Sequence, residues 1–202
     1  MADNRSALAS AYRVGRIGAV AGVIGASLRE RRDGKLVQIS GWPDSFSSVC
    51  SRLAELLTGD IPDDMRHAIS SGERSVFRVA PERLWIAGPS NDEVLLQLNS
   101  TTLGDEAIVT DISHSRTVLR ISGPESETLL NRGLPIDLDP EVFPANAFAQ
   151  SAIHHVSVMI HRVDTTGDVV FDAYVTRDLA MTFWEWLTEA AAPLGCEIMQ
   201  PD

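Results

Sequence analysis

Asp111, Ser113 and His114 lie in one short segment and carry the side-chain types of a nucleophilic triad. Neighbours in an extended chain point to opposite sides, however, and no G-x-S-x-G elbow surrounds Ser113 to activate it. The expected role is structural, with Asp111 and Ser113 bonding backbone at a bend between strands. Metal chemistry fares no better. His154 and His155 are adjacent and diverge in a strand, while His155 and His161 share a face but stand about 20 Å apart at strand rise. No carboxylate is spaced to complete a zinc set with either. The two cysteines, Cys50 and Cys196, make neither a disulfide framework nor a metal cluster, and Cys50 falls where a thiol packs rather than attacks. Gly15, Gly18, Gly22 and Gly25 are not spaced as G-x-G-x-x-G and follow no strand, which rejects a dinucleotide loop. No catalytic, cofactor-binding or metal-binding residue is therefore assigned.

The elements that would position side chains are short strands answered by helices. Val118, Arg120 and Ser122 alternate with Leu119 and Ile121, the period of a half-buried strand. Ser122-Gly123-Pro124 then opens a helix with Glu125 and Glu127 in its first turn, Leu129 and Leu130 on its buried side, and Gly133 as its C-terminal cap. Upstream, residues 35–39 read as a strand, and Ser45 caps a helix to about Leu57 with Phe46, Val49, Leu53, Leu56 and Leu57 at helical spacing. Residues 76–79 and 83–87 form a hairpin, followed by a helix carrying Val94, Leu95 and Leu98. Downstream, a proline-punctuated loop over 134–144 leads to a strand over 151–163, a return strand over 169–175 and a last helix. Leu179, Phe183, Trp186, Leu187, Ala190 and Leu194 make that helix's apolar stripe, and Trp184 lies off it. The fold class expected is α+β, antiparallel sheets with packed helices. Residues 1–35 form an extended N-terminal arm and 36–202 an α+β domain, whole or in two subdomains, 36–104 and 105–202.

With 202 residues, 44% of them hydrophobic, the chain can bury a sizeable core. Seventeen basic against 28 acidic residues give a net charge of −11, which argues against nucleic acid or an anionic membrane as partner. No apolar run reaches the roughly 18 residues of a spanning helix. Residues 17–26 are apolar but Gly-rich, and Arg29 to Arg32 follow without a cleavage site, so a cytoplasmic location is expected. Val14, Ile17, Val20, Val23 and Ile24 lack a period that would fold them into their own helix, and together would leave an apolar patch. With Trp184, for which packing against the sheet or the N-terminal arm is an equal alternative, they are the candidate interface for a partner protein.

Asp111-Ile112-Ser113-His114, an alternating strand and Ser122-Gly123-Pro124 resemble the first domain of the glycine-cleavage T-protein superfamily, the folate-binding domain. Pro135-Ile136-Asp137-Leu138-Asp139, Val142-Phe143-Pro144, His161-Arg162-Val163-Asp164 and Phe183-Trp184-Glu185-Trp186-Leu187 are similar to the gamma subunit of heterotetrameric sarcosine oxidase. The resemblance is patchy before residue 75 and nearly continuous from Val109 to Leu187. It implies a non-catalytic gamma-type subunit that works beside alpha, beta and delta subunits, docked chiefly on the large alpha subunit. That assembly oxidatively demethylates sarcosine to glycine, with FAD, FMN, NAD, zinc and tetrahydrofolate on the other subunits and none on this chain. The segment 164–172 lacks the Gly pair and acidic doublet of folate-active relatives. Two alternatives accompany this reading: a gamma-like subunit of N-methylglutamate dehydrogenase, and a stand-alone folate-dependent methyl or aminomethyl transferase.

Overall fold

The computed structural model describes residues 5–18, 23–100, 103–163 and 167–202. In chain order the strands and helices are β1 (Gly15–Ile17), β2 (Ala26–Arg31), β3 (Gly34–Gly41), α1 (Phe46–Leu57), β4 (Ile69–Ser71), β5 (Arg74–Ala80), β6 (Arg83–Pro89) and α2 (Glu93–Ser100). They continue as β7 (Ala107–Asp111), β8 (Arg116–Ser122), α3 (Ser126–Asn131), β9 (Phe148–Ile153), β10 (Val156–Arg162), β11 (Val170–Thr176), α4 (Ala180–Ala191) and β12 (Cys196–Ile198). The class is α+β with antiparallel sheets, as expected, β12 beside β2 being a parallel pair. No helix among the described residues is long and apolar enough to cross a membrane.

The chain forms two compact units, Met1–Arg32 with His114–Asp202, and Asp33–Ser113. These bounds differ from an arm over 1–35 with subdomains 36–104 and 105–202. The first 32 residues belong with the C-terminal half because β2 is an inner strand there, and β7 pairs with β3 in the other unit. In the smaller unit the sheet runs β4-β5-β6-β3-β7. Val37, Ile39, Val76, Leu84 and Ile86 line one face, and Val49, Leu53, Leu95 and Leu98 of α1 and α2 fill the core against it. Asp92 caps α2, accepting the Val94 and Leu95 N–H groups at 2.9 and 3.1 Å.

The larger unit is a sheet in the order β1-β12-β2-β8-β11-β10-β9. Leu28, Leu119, Ile121, Phe171, Ala173, Val158 and Ile160 form its apolar face, over which Leu129, Leu130, Phe183, Trp184 and Leu187 of α3 and α4 pack. The expected strand over 151–163 is in fact two. It folds back at His154-His155, bringing Ile153 opposite Val156, and His154 takes φ 52° to make the two-residue turn. Ile153 falls out of phase with Val156, Val158 and Ile160 yet shares their buried face, the phase break that a two-residue turn imposes on alternation. Gly133 also has another reason than a left-handed cap: a Cβ there would meet the Trp186 ring at 2.7 Å.

The N-terminal segment is the main departure from expectation. It is integrated into the larger unit, with Leu8 and Leu28 fully buried. Tyr12 stacks on Trp184 at a centroid distance of 4.9 Å. Its hydroxyl donates to the Met199 carbonyl at 2.8 Å and accepts from the Glu30 N–H at 3.0 Å. Trp184 is only 3% exposed, so its assignment as a surface anchor is corrected, while Trp186 is half-buried. The helical stripe placed Trp184 outside because a single helix period cannot register a second layer laid over the same helix.

Two outcomes follow. Trp184→Ala should lower stability by about 3–5 kcal/mol, the range for removing a buried large aromatic, measured by chemical denaturation. Deleting residues 1–28 removes half of β2 and the Tyr12 layer, so the truncated chain should lose cooperative unfolding; a sharp, wild-type-like transition would contradict the packing described.

Candidate functional site

The polar residues of the larger unit gather on the sheet face opposite α3 and α4. Strand alternation sends Arg29, Arg120, Asp172 and His161 to that face, and the register aligns them: Arg29 opposite Arg120, Arg120 opposite Asp172, Asp172 opposite His161, His161 opposite Phe148. One row over, Tyr174 lies opposite Val118 and Met159.

Asp172, 1% exposed, is the hub. Arg120 grips it in a two-point fork, Nε to Oδ1 at 2.8 Å and Nη2 to Oδ2 at 2.8 Å, and Arg31 adds Nη1 to Oδ2 at 3.3 Å. Asp202 stands farther out, 3.7 Å from Arg31 and 4.0 Å from Arg29. The bonds from Asp172 raise the Arg120 pKa further above its ordinary value, against the effect of burial. Burial raises the Tyr174 pKa, and the Asp172 charge adds to it. His161 is 1% exposed, and burial pulls its pKa down to about 4; Arg120 pushes the same way, against the attraction of Asp172. At neutral pH His161 is therefore an uncharged ring beside a carboxylate engaged by two arginines. Such a row fixes strand register and partial charge on one face. A carboxylate held this way is poorly placed to take a proton from a substrate.

Arg162, on the apolar face, is 2% exposed. It pairs with Glu127 at 3.0 Å, donates to the Leu138 and Phe143 carbonyls at 3.1 and 3.2 Å, and lies 5.5 Å from the Phe171 ring centre. That contact set ties the proline-rich loop to the sheet.

The residues singled out from sequence have separate fates. Ser113 Oγ donates to Asp111 at 2.6 Å and accepts the Leu36 N–H at 2.9 Å, and Lys35 pairs with Asp111 at 2.9 Å. Burial opposes ionisation of Asp111, but the Ser113 and Lys35 bonds outweigh it and hold the carboxyl at about 2. This is the structural bend expected. His114, His154 and His155 are exposed, and among the described residues no group of three or more His, Cys, Asp or Glu side chains could hold a metal. Cys50 and Cys196 are free thiols whose pKa values burial raises, opposite to what a nucleophile needs. Of the candidate interface, Val14 is 49% and Val23 69% exposed, Ile17 and Ile24 are half-buried, and Val20 lies outside the described residues. Sequence reasoning missed the Arg31–Arg120–Asp172 cluster. The alternation of β8 and β11 carried its face, but strand order carried its pairing.

Two measurements probe this row. Asp172→Asn should cost about 1.5–3 kcal/mol, because it weakens the charged hydrogen bonds that two half-buried arginines make to one carboxylate. The unfolded His161 titrates near 6.5 and the folded one near 4, so its stabilising share is complete above about pH 6.5 and drains as pH falls towards 4. That amounts to on the order of 3 kcal/mol, and His161→Phe should flatten this limb of the stability–pH curve.

The fold has known counterparts. A sarcosine oxidase subunit gamma from Corynebacterium sp. (strain P-1) is 26% identical over 182 residues, covering 89% of this chain and 86% of that one. A chain in the structure of heterotetrameric sarcosine oxidase from Corynebacterium sp. U-96, in complex with pyrrole 2-carboxylate, superposes with TM-score 0.78 at 21% identity, covering 94% of this chain and 95% of that one. The glycine cleavage system aminomethyltransferase T from Bartonella henselae superposes with TM-score 0.61 at 17% identity over 87% of this chain, but only 48% of its own length is spanned. The GCVT N-terminal domain family matches residues 71–199. More than half of the sequence carries that match, so the chain belongs to the GCVT N-terminal domain family, and it resembles sarcosine oxidase gamma subunits over most of its length.

Proposed function

We propose that this chain is a gamma-type subunit of a heteromeric flavoprotein oxidase of the sarcosine oxidase kind. Its role there is structural, in support of oxidative demethylation of sarcosine to glycine. The carrying observation is coverage: similarity to a gamma subunit extends over 89% of this chain and 86% of the relative, whereas the T-protein is spanned over 48%. The polar row agrees with a supporting role, since its central carboxylate is committed to Arg120 and Arg31. On this reading alpha, beta and delta subunits are the partners, the large alpha subunit foremost, in the cytoplasm. FAD, FMN, NAD, zinc and tetrahydrofolate act on those subunits. Gly15, Gly18 and Gly25 have no G-x-G-x-x-G spacing to seat a dinucleotide here.

A second reading, an aminomethyl transferase acting alone, draws on membership of the GCVT family. A gamma-like subunit of N-methylglutamate dehydrogenase is a variant of the first reading and is separated by the amine that the assembled enzyme oxidises.

The test is co-expression with the alpha, beta and delta subunits of such an oxidase from the same organism. The chain should co-elute with them in fixed proportion, and the complex should release hydrogen peroxide from sarcosine, while the chain alone carries no flavin absorbance. Failure to associate would remove the subunit reading. Saturable tetrahydrofolate binding by the chain alone, with aminomethyl transfer, would establish the transferase instead.

A further inference from the structure

The larger sheet ends at β1, and among the described residues no strand pairs with its outer side. An edge strand presents alternate N–H and C=O groups outward, and a chain left with such an edge either blunts it or uses it. Here it is not blunted by bulk: Gly15 and Arg16 are exposed, and a Cβ on Gly15 would meet nothing within 4 Å. Val14, immediately before the strand, is 49% exposed.

The charge of this edge is the opposite of the molecule's. Six arginines and one acidic residue, Glu30, fall within residues 5–32, in a chain whose net charge is −11. Most of those arginines are engaged away from the edge: Arg29 and Arg31 with Asp202, Arg31 also with Asp172, Arg32 with Glu30. Arg13 and Arg16 make no ion pair among the described residues. Arg13 donates only to the Tyr12 and Ser10 carbonyls at 2.9 and 2.8 Å, which leaves its charge uncompensated, and Arg16 has Glu197 opposite it in the register without a bond to it. An open strand edge, the exposed Val14 and two guanidinium groups without an ion pair among the described residues, Arg16 across from Glu197 and Arg13 with no acidic partner, thus occupy one border.

We infer that the β1 edge is a docking site for an extended, acidic segment of another subunit, which adds as a further strand with carboxylates towards Arg13 and Arg16 and an apolar side chain against Val14. The inference rests on the subunit reading above and names the surface and the partner chemistry. Main-chain pairing would supply the affinity, and the guanidinium groups would supply selection for negative charge. Tyr12, stacked in the core beside this edge, holds it in place before the partner arrives.

The test uses the full chain co-expressed with the alpha, beta and delta subunits, comparing wild type with Arg13→Glu/Arg16→Glu and with Val14→Asp. All three positions are exposed, and a melting temperature within a few degrees of wild type checks the fold. The expected result is an intact wild-type complex, affinity weakened about tenfold or more by each variant, and wild-type affinity falling as salt rises from about 0.05 to 0.5 M. Amide hydrogen exchange at residues 14–17 should slow in the complex. If wild type assembles but the variants bind equally well and residues 14–17 stay unprotected, this docking site is refuted while the subunit reading stands. If wild type fails to assemble, both fall. A concentration-dependent homodimer abolished by Arg13→Glu/Arg16→Glu would identify a second copy as the occupant and overturn the partner named here.

Discussion

The buried Asp172 carboxylate, shared between Arg120 and Arg31, is the constraint on which the larger unit depends. These residues come from β11, β8 and β2, so one acceptor fixes the register of three adjoining strands. A one-residue slip of any of them would turn its charged side chain to the apolar face and take it out of the cluster. Desolvating such a cluster is costly, and a well-packed apolar replacement can match it in stability. What the ionic version adds is uniqueness of register, in a sheet whose other contacts are largely Leu, Ile, Val, Ala and Phe.

A second buried charge works the opposite face. Arg162 reaches from β10 to Glu127 on α3 and to two carbonyls of the loop that follows, so an irregular stretch with three prolines is tethered by one guanidinium. Leu134, Leu138 and Phe143 then bury from that loop as though it were a regular element. Both charged clusters are engaged with the protein's own strands, helix and loop. That engagement matters for a chain whose family includes domains of aminomethyltransferases: the fold is shared, but what a given member does is decided by the groups its surfaces keep available.

The N-terminal segment shows how an element without a sequence period can still be central. β2 lies between β12 and β8, pairing parallel with one and antiparallel with the other. Tyr12 connects β2, the C-terminal segment and α4 through two hydrogen bonds and a ring stack. The segment's apolar residues thus divide between core and surface, with Leu8 and Leu28 inside and Val14 and Val23 outside.

Local pattern alone determined a good part of this protein. The alternation of residues 118–122, the helical stripes beginning at Phe46 and Leu95, the hairpin near Pro81 and the fold class were all legible, because each depends on a period of 2 or 3.6 within a few residues. The structural reading of Asp111 and Ser113 was legible too, since short polar side chains next to a bend bond the nearest backbone. Tertiary structure decided the rest. Residues 26–31 became an inner strand only through pairing with residues about 90 and 170 positions away, a relation no local window contains. The turn at His154-His155 was marked only by Ile153 falling out of phase with Val156, a single-residue signal in a run with neither Gly nor Pro to punctuate it. Trp184 went inside, the second of its two readings, because Tyr12 of the N-terminal segment supplied a surface that its own helix could not choose. The Arg31–Arg120–Asp172 cluster is the clearest case: each residue's face follows from its own strand, but which charges meet follows from strand order, and strand order is a property of the whole sheet.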